Sequence, residues 1–349
     1  MIPLIRVGKR NIGAGKPVFI VAEISGNHNG DIKRALKIID AAADAGADAI
    51  KLQTYTADTI TFKSDAPEFI VKWQGKKRTL YDLYEEAHTP WEWHKQLFAH
   101  AKKRGLVCFS TPFDAMAVDF LETLHNPIYK VASFEVVDTP LLEAIGKTKK
   151  PVIMSRGMAS VKEIREAIAT LRKFGTKDIT LLQCVSAYPA EPADMHLATI
   201  PDMRKKFRVS VGLSDHSLTN DPAIASVALG VRIIEKHLTT RRSDGGPDSS
   251  FSLEPQEFSA LVKSVRSVES ALGTPSYAPS RNEKDMLQFR KSLFVVKGIK
   301  KGARFTEENV RSIRPDGGLP PKHYRTVLDS RATMDISPGT PLSWRHVSQ

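Results

Sequence analysis

Glu23, Lys51, Lys130, His216 and His237 are the residues of this 349-residue chain best suited to chemistry, because each lies in or beside a short apolar run. Two neutral imidazoles, His216 and His237, suit a borderline divalent ion such as Mn, Fe, Co or Zn, with water or substrate oxygens completing its shell. A lone strand-end histidine has a plainer use as a hydrogen-bonded structural residue, so the pair counts for more than either member. Lys51 and Lys130 interrupt the apolar stretches AIKLQ and YKVAS, and a lysine is costly to bury unless an anion or carboxylate joins it. Three uses stay open for them. They can form structural ion pairs, or line a phosphate pocket with the hydroxyls of Ser110, Thr111, Ser133, Ser155, Ser186 and Ser214, or supply a Schiff-base amine as in an aldolase. Glu23 can pair with either lysine or handle a proton or water near a metal. His28 is better placed to anchor the Asn29-Gly30 turn than to bind metal.

These residues share a context that tells how they must be positioned. Eight apolar, β-branched runs, at 18–22, 48–52, 106–109, 128–132, 151–154, 179–184, 209–213 and 232–234, each give way at the C-terminal end to polar residues. Helix-like segments alternate with them at 31–45, 91–103, 115–124, 140–147, 161–174, 222–229 and 255–272. In the first, Ile32, Leu36, Ile39 and Ala43 repeat near helical spacing, Asp31 caps the start and Gly46 supplies the exit. Strands alternating with helices predict right-handed crossovers and a parallel (β/α)8 barrel of the TIM type, whose chemistry sits at the C-terminal strand ends. The long loop 54–89 carries Trp73, Tyr81, Tyr84 and His88 and is expected to help frame a substrate.

After Gly273 the alternation stops. We expect a barrel domain over 1–273, a turn-rich linker over 274–290 and a small β-rich domain over 291–349, where Gly302, Pro315, Gly317, Gly318, Pro320, Pro321, Pro338 and Gly339 demand turns.

The net charge of +12 comes from 51 Lys and Arg against 39 Asp and Glu. Its basic clusters, around 76–78, 102–104, 147–150 and 204–206, fall in separate helix or loop segments. They read as solvated helix ends and not as a nucleic-acid surface, whereas a small anionic substrate suits the charge equally. Apolar stretches are too short to span a bilayer and the N-terminus lacks a secretory pattern, so a soluble cytoplasmic protein is expected. Cys108 and Cys184 lack metal or redox spacing and are expected to be buried structural thiols.

Segments 22–30 (AEISGNHNG), 45–55 (AGADAIKLQTY), 109–114 (FSTPFD), 129–135 (YKVASFE), 212–216 (GLSDH), 235–237 (EKH) and 251–255 (FSLEP) resemble, in order, the sialic acid synthase family. Segments 54–59 (TYTADT) and 80–94 (LYDLYEEAHTPWEWH) resemble its pseudaminic branch, and 299–302 (IKKG) with 312–315 (SIRP) resemble its C-terminal antifreeze-like (SAF) domain. The resemblance implies condensation of phosphoenolpyruvate with an open-chain amino-sugar aldehyde to a nine-carbon 2-keto acid, with release of phosphate. For that branch the sugar is 2,4-diacetamido-2,4,6-trideoxy-altrose; sialic or legionaminic precursors are the alternatives within the family. It further implies that His216 and His237 hold a divalent metal (Mn, with Mg or Co as alternatives), and that Glu23 and His237 are catalytic. Lys51, Gln53, Thr111, Lys130, Ser133, Ser155, Ser186 and Ser214 are then substrate contacts, with Glu135, Tyr188 and Asp248 on the sugar. The expected assembly is a domain-swapped homodimer, Arg314 reaching the sugar's N-acyl group across it. Two positions depart from the family pattern: Arg156 stands where a small Thr is usual, leaving a phosphate contact or a loop salt bridge open, and Ser186 stands where the sialic branch tends to have Asn.

Overall fold

The computed structural model describes residues 4–8, 10–73 and 75–348. Eight strands close into one parallel barrel: β1 (Phe19–Glu23), β2 (Ala49–Thr54), β3 (Val107–Pro112), β4 (Tyr129–Val131), β5 (Val152–Ser155), β6 (Ile179–Cys184), β7 (Ser210–Asp215) and β8 (Ile233–His237), each beside its neighbour in sequence and β8 beside β1. The helices α1 (Ile32–Asp44), α2 (Trp91–Lys103), α3 (Ala115–Thr123), α4 (Thr139–Lys147), α5 (Val161–Phe174), α6 (Thr199–Phe207), α7 (Asp221–Ala228) and α8 (Pro255–Leu272) alternate with them. At the start of α1 the Asp31 carboxylate accepts from the Lys33 amide at 2.8 Å, and Gly46 beyond its end has φ +86°. Helix α6 escapes a reading by periodicity because Pro201 and the basic run 204–206 dilute its apolar face. That face exists all the same: Ile200, Met203 and Phe207 are buried at helical spacing.

Strand alternation decides what each barrel residue faces. Phe19, Val21, Ala49, Phe109, Ile128, Ile153, Leu182 and Ile233 pack together inside the barrel, where Ile5, Val7 and Ile12 of the hairpin Ile5–Val7/Arg10–Ile12 join them. Residues of the opposite parity, including Ile20, Ala22, Ile50, Leu52, Val152, Met154, Leu181, Leu213 and Ile234, pack in the larger cluster with the helices. Two residues further along each inward row the side chains turn polar: Glu23 after Val21, Lys51 after Ala49, Thr111 after Phe109, Lys130 after Ile128, Ser155 after Ile153 and Glu235 after Ile233. Several strands extend past the apolar runs, so Glu23, Gln53, Thr111, Ser155, Ser214 and His237 lie on rigid strand.

Segment 54–89 is an ordered excursion with its own elements: a helical turn at Ala57–Ile60, an antiparallel hairpin pairing Ile70–Trp73 with Lys76–Thr79, and a helix at Leu80–Ala87. The Thr79 hydroxyl caps that helix by accepting from the Asp82 amide at 3.0 Å.

The chain divides into two compact units after Gly273. In the second, β9 (Ser292–Val295) pairs antiparallel with β10 (Val310–Ile313), and Leu293, Val295, Phe305, Val310, Val327 and Leu342 are among its buried core. The expected linker 274–290 contains a helical turn at Arg281–Lys284, capped by Ser280, and a 3-10 turn at Asp285–Phe289. No helix of the described residues is long and apolar enough to cross a membrane.

Candidate active site

Four buried charges lie at the centre of the barrel mouth. Lys51 Nζ is 2.6 Å from Glu23 Oε2 and 3.7 Å from Glu235 Oε1, and it donates to Thr111 Oγ1 at 3.2 Å. Lys130 Nζ reaches the same Glu235 oxygen at 3.5 Å, and Ser214 Oγ donates to it at 3.1 Å. Glu23 Oε1 accepts from Ser25 Oγ at 2.5 Å, whose oxygen accepts from Gln53 Nε2 at 3.0 Å. Burial works against charge on Lys51, but Glu23 and Glu235 together outweigh it and hold its pKa above the ordinary lysine value. For Lys130 burial wins over Glu235, and the nearby Lys51 charge adds to it, so its pKa is lowered. Glu235 is held below the usual carboxylate range: burial opposes its charge, and the two lysines, His216 and Ser214 overcome that.

His216 and His237 follow on β7 and β8, with ring centroids 5.2 Å apart. Nδ1 of His216 pairs with the Val185 carbonyl at 2.8 Å, which directs its other ring nitrogen elsewhere. Nδ1 of His237 is buried without a hydrogen-bond partner among the described residues, and burial followed by the surrounding cations drives its pKa well below the ordinary histidine value. A neutral imidazole with an unused lone pair beside a second imidazole fits a divalent cation. Among the described residues no three His, Cys, Asp or Glu side chains form a ready metal cage. Such an ion would therefore be held by these two imidazoles, with oxygens of water or substrate completing its shell.

Around this centre the wall is rich in hydroxyls. Ser186 Oγ donates to Ser133 Oγ at 2.7 Å, and Ser155 Oγ is buried without a hydrogen-bond partner among the described residues. Gly157 makes the close approach of these loops feasible: it has φ +45°, and a Cβ there would lie 2.3 Å from Ser133 Cβ and 2.8 Å from Ser186 Oγ. Further out, Asp248 Oδ2 accepts from the Gly26 amide at 2.8 Å, and burial pushes its carboxyl up to about 6. Glu135 has a buried Oε2 without a hydrogen-bond partner among the described residues, and burial raises its pKa to about 7. The Tyr188 ring packs against His216 at 4.5 Å and Phe251 at 5.0 Å. Arg314 belongs to the second unit, where its side chain is exposed.

Arg156 does not form the loop salt bridge that is one of its two expected uses. Its side chain has the outward parity of β5: Nε donates to Gln183 Oε1 at 2.9 Å and Nη1 to the Gly157 carbonyl at 3.0 Å. No carboxylate of the described residues pairs with it, so it braces two strand ends instead of forming a loop salt bridge. His28 does anchor its turn, accepting from the Gly30 amide at 3.1 Å.

Some functional neighbours escape sequence reasoning. Lys236 faces outward from β8 and is buried against Asp215 Oδ2 at 2.8 Å and the carbonyls of Ser217 and Thr219, each at 2.8 Å, which fixes the loop that carries His216. Adjacent lysine and histidine at a strand end are the available signal, since alternation sends them to opposite faces. Cys184 is buried, as composition implies, but faces inward, where burial raises its pKa and the nearby His216 more than offsets this, leaving it lowered.

With this geometry in hand, similarity to known proteins is informative. Residues 38–277 match the NeuB family and residues 290–348 match the SAF domain. A pseudaminic acid synthase of Campylobacter jejuni (strain 81-176) is 45% identical over 335 residues, 95% of this chain and 97% of that protein. A pseudaminic acid synthase of Helicobacter pylori is 42% identical over 94% of this chain and 97% of its own length. Among solved structures, the sialic acid synthetase of Leptospira borgpetersenii in complex with citrate aligns with a TM-score of 0.74 at 34% identity, covering 83% of this chain and 97% of that one.

Proposed function

Since the chain belongs to the NeuB family of sialic acid synthases, we propose that it condenses phosphoenolpyruvate with 2,4-diacetamido-2,4,6-trideoxy-altrose, forming the nine-carbon keto acid of the pseudaminic branch and releasing phosphate. The observation that carries this reading is the convergence of Glu23, Lys51, Lys130, Glu235, His216 and His237 at one barrel mouth. Its two ammonium groups are already balanced by two carboxylates, so a phosphorylated substrate calls for further positive charge. A divalent cation on His216 and His237, Mn with Mg or Co as alternatives, would supply it and polarise the aldehyde oxygen.

The protein's own groups then have distinct tasks. Lys51 and Lys130 provide charge, and Gln53, Thr111, Ser133, Ser155, Ser186 and Ser214 provide oriented polar groups, around phosphoenolpyruvate. When C3 of the enol phosphate attacks the aldehyde carbon, its π pair forms the new C–C bond, the aldehyde oxygen takes a proton and C2 becomes electron-poor. The Glu23 carboxylate stabilises C2 or delivers the water that captures it. The resulting tetrahedral carbon expels phosphate by C–O cleavage and becomes the ketone. Glu135, Tyr188 and Asp248 are assigned to the sugar's hydroxyl and amide groups. We further assign the working form as a cytoplasmic homodimer that exchanges its C-terminal units, with Arg314 on the sugar's N-acyl group. Arg314→Ala is expected to raise the KM for sugar more than that for phosphoenolpyruvate in steady-state titrations, and equal effects on both would remove it from the sugar site.

The deciding experiment is phosphate release from phosphoenolpyruvate with Mn, with and without chelator, offering the altrose sugar beside N-acetylmannosamine and the legionaminic precursor. Chelator-sensitive release with the altrose sugar alone is expected. Release with another sugar would keep the chemistry and move the branch. An aldolase would share the barrel and a strand lysine of lowered pKa such as Lys130, so covalent trapping by borohydride together with indifference to chelator would overturn the synthase reading.

A further inference from the structure

The hairpin Ile70–Trp73/Lys76–Thr79 leaves Lys72, Lys76 and Lys77 exposed and sends one large, half-buried aromatic residue toward the site. Trp73 lies 5.7 Å from the Tyr188 ring, which itself packs on His216 and on Phe251. The indole N–H donates to the Pro247 carbonyl at 2.8 Å, in the loop that also carries Asp248. With its single polar group engaged, the indole has only apolar surface left to offer a ligand. The Tyr188 hydroxyl, in contrast, is assigned to a polar group of the sugar.

A six-carbon aldehyde whose C1 lies beside His216 and His237 extends its far end away from the histidines. Ring contacts run from His216 to Tyr188 and from Tyr188 to Trp73, and the far end of the sugar is placed along them. In the proposed substrate the far end is a methyl group, because the sugar lacks its C6 hydroxyl. We propose that Trp73, backed by Tyr188, is the specificity-determining contact for the deoxygenated C6 of the sugar. The indole covers the methyl group and gives a C6 hydroxyl no partner to replace the water it loses.

This inference rests on the proposed function, and the two fail differently. Wild-type kcat/KM is measured for the altrose substrate and for its analogue bearing a hydroxyl on C6, alongside Trp73→Phe and Trp73→Ala. Wild type is expected to favour the deoxy sugar by roughly ten- to a hundredfold, the range an apolar pocket achieves against an added hydroxyl. Trp73→Ala should lose most of that preference, through a higher sugar KM with little change in the KM for phosphoenolpyruvate. Trp73→Phe keeps an apolar ring without the Pro247 bond and should retain part of it. A wild-type preference left intact in both variants would overturn the assignment of Trp73. A wild type inactive on every sugar would instead sink the proposed function. Circular dichroism of Trp73→Ala and its turnover of the deoxy sugar separate lost preference from lost fold.

Discussion

His237→Ala is expected to reduce metal-dependent phosphate release by at least about a thousandfold, since Lewis-acid stabilisation is worth several kcal/mol and each 1.36 kcal/mol is tenfold in rate. The side chain ends β8 on the inward row, beyond the apolar layer that packs the barrel, and its Nδ1 makes no hydrogen bond to a described residue that the substitution would break. The melting temperature should therefore change little. Metal content after dialysis gives a readout independent of turnover: the variant should bind Mn more weakly than wild type. Unchanged occupancy and rate would remove His237 from the metal site, and a collapsed fold would show that its role is structural.

Glu235→Gln should produce the largest change in stability. Glu235 Oε1 is the acceptor shared by Lys51 and Lys130, and all three side chains are almost completely buried. Lys51 keeps Glu23 at 2.6 Å when the Glu235 charge is removed, but Lys130 has no other carboxylate within ion-pairing distance among the described residues. Breaking one side of a buried pair typically costs about 3–5 kcal/mol, because an uncompensated charge remains. That loss should appear as a lower denaturant midpoint at neutral pH. The double variant with Lys130→Met should recover much of the stability and none of the activity, and a double-mutant cycle would measure the coupling. The pH dependence has a definite sign. Glu235 has a depressed pKa in the folded protein, so its contribution is present above the ordinary carboxylate range and is lost as pH falls through the lowered value. Wild type should therefore lose this increment in acid while Glu235→Gln, having no carboxyl to titrate, should not. Parallel stability curves for the two proteins across the acid range would contradict the coupling.

The alternation of eight apolar runs with amphipathic segments was enough by itself to specify a parallel barrel, because period-2 and period-3.6 patterns are local and need no partner to be read. The polar strand ends were legible for the same reason: Lys51 and Lys130 in apolar surroundings are visible without coordinates. Helix α6 was not, since its few apolar residues are diluted by the basic run at 204–206. The hairpin pairing 70–73 with 76–79 was also hidden, because its second strand, Lys76–Thr79, carries no apolar side chain to alternate.

What only tertiary structure could decide was partnership. Glu23, Glu235, Lys51 and Lys130 are spread over more than two hundred positions, and closure of the barrel determines which carboxylate meets which amine. Strand parity likewise sends Arg156 to the outer wall while Ser155 faces inward, and Lys236 away from the site while Glu235 and His237 enter it. One residue of register reverses such an assignment. Trp73 comes within reach of Tyr188 because two segments more than a hundred residues apart fold over the same strand ends, where distance in space, and not in sequence, sets the chemistry.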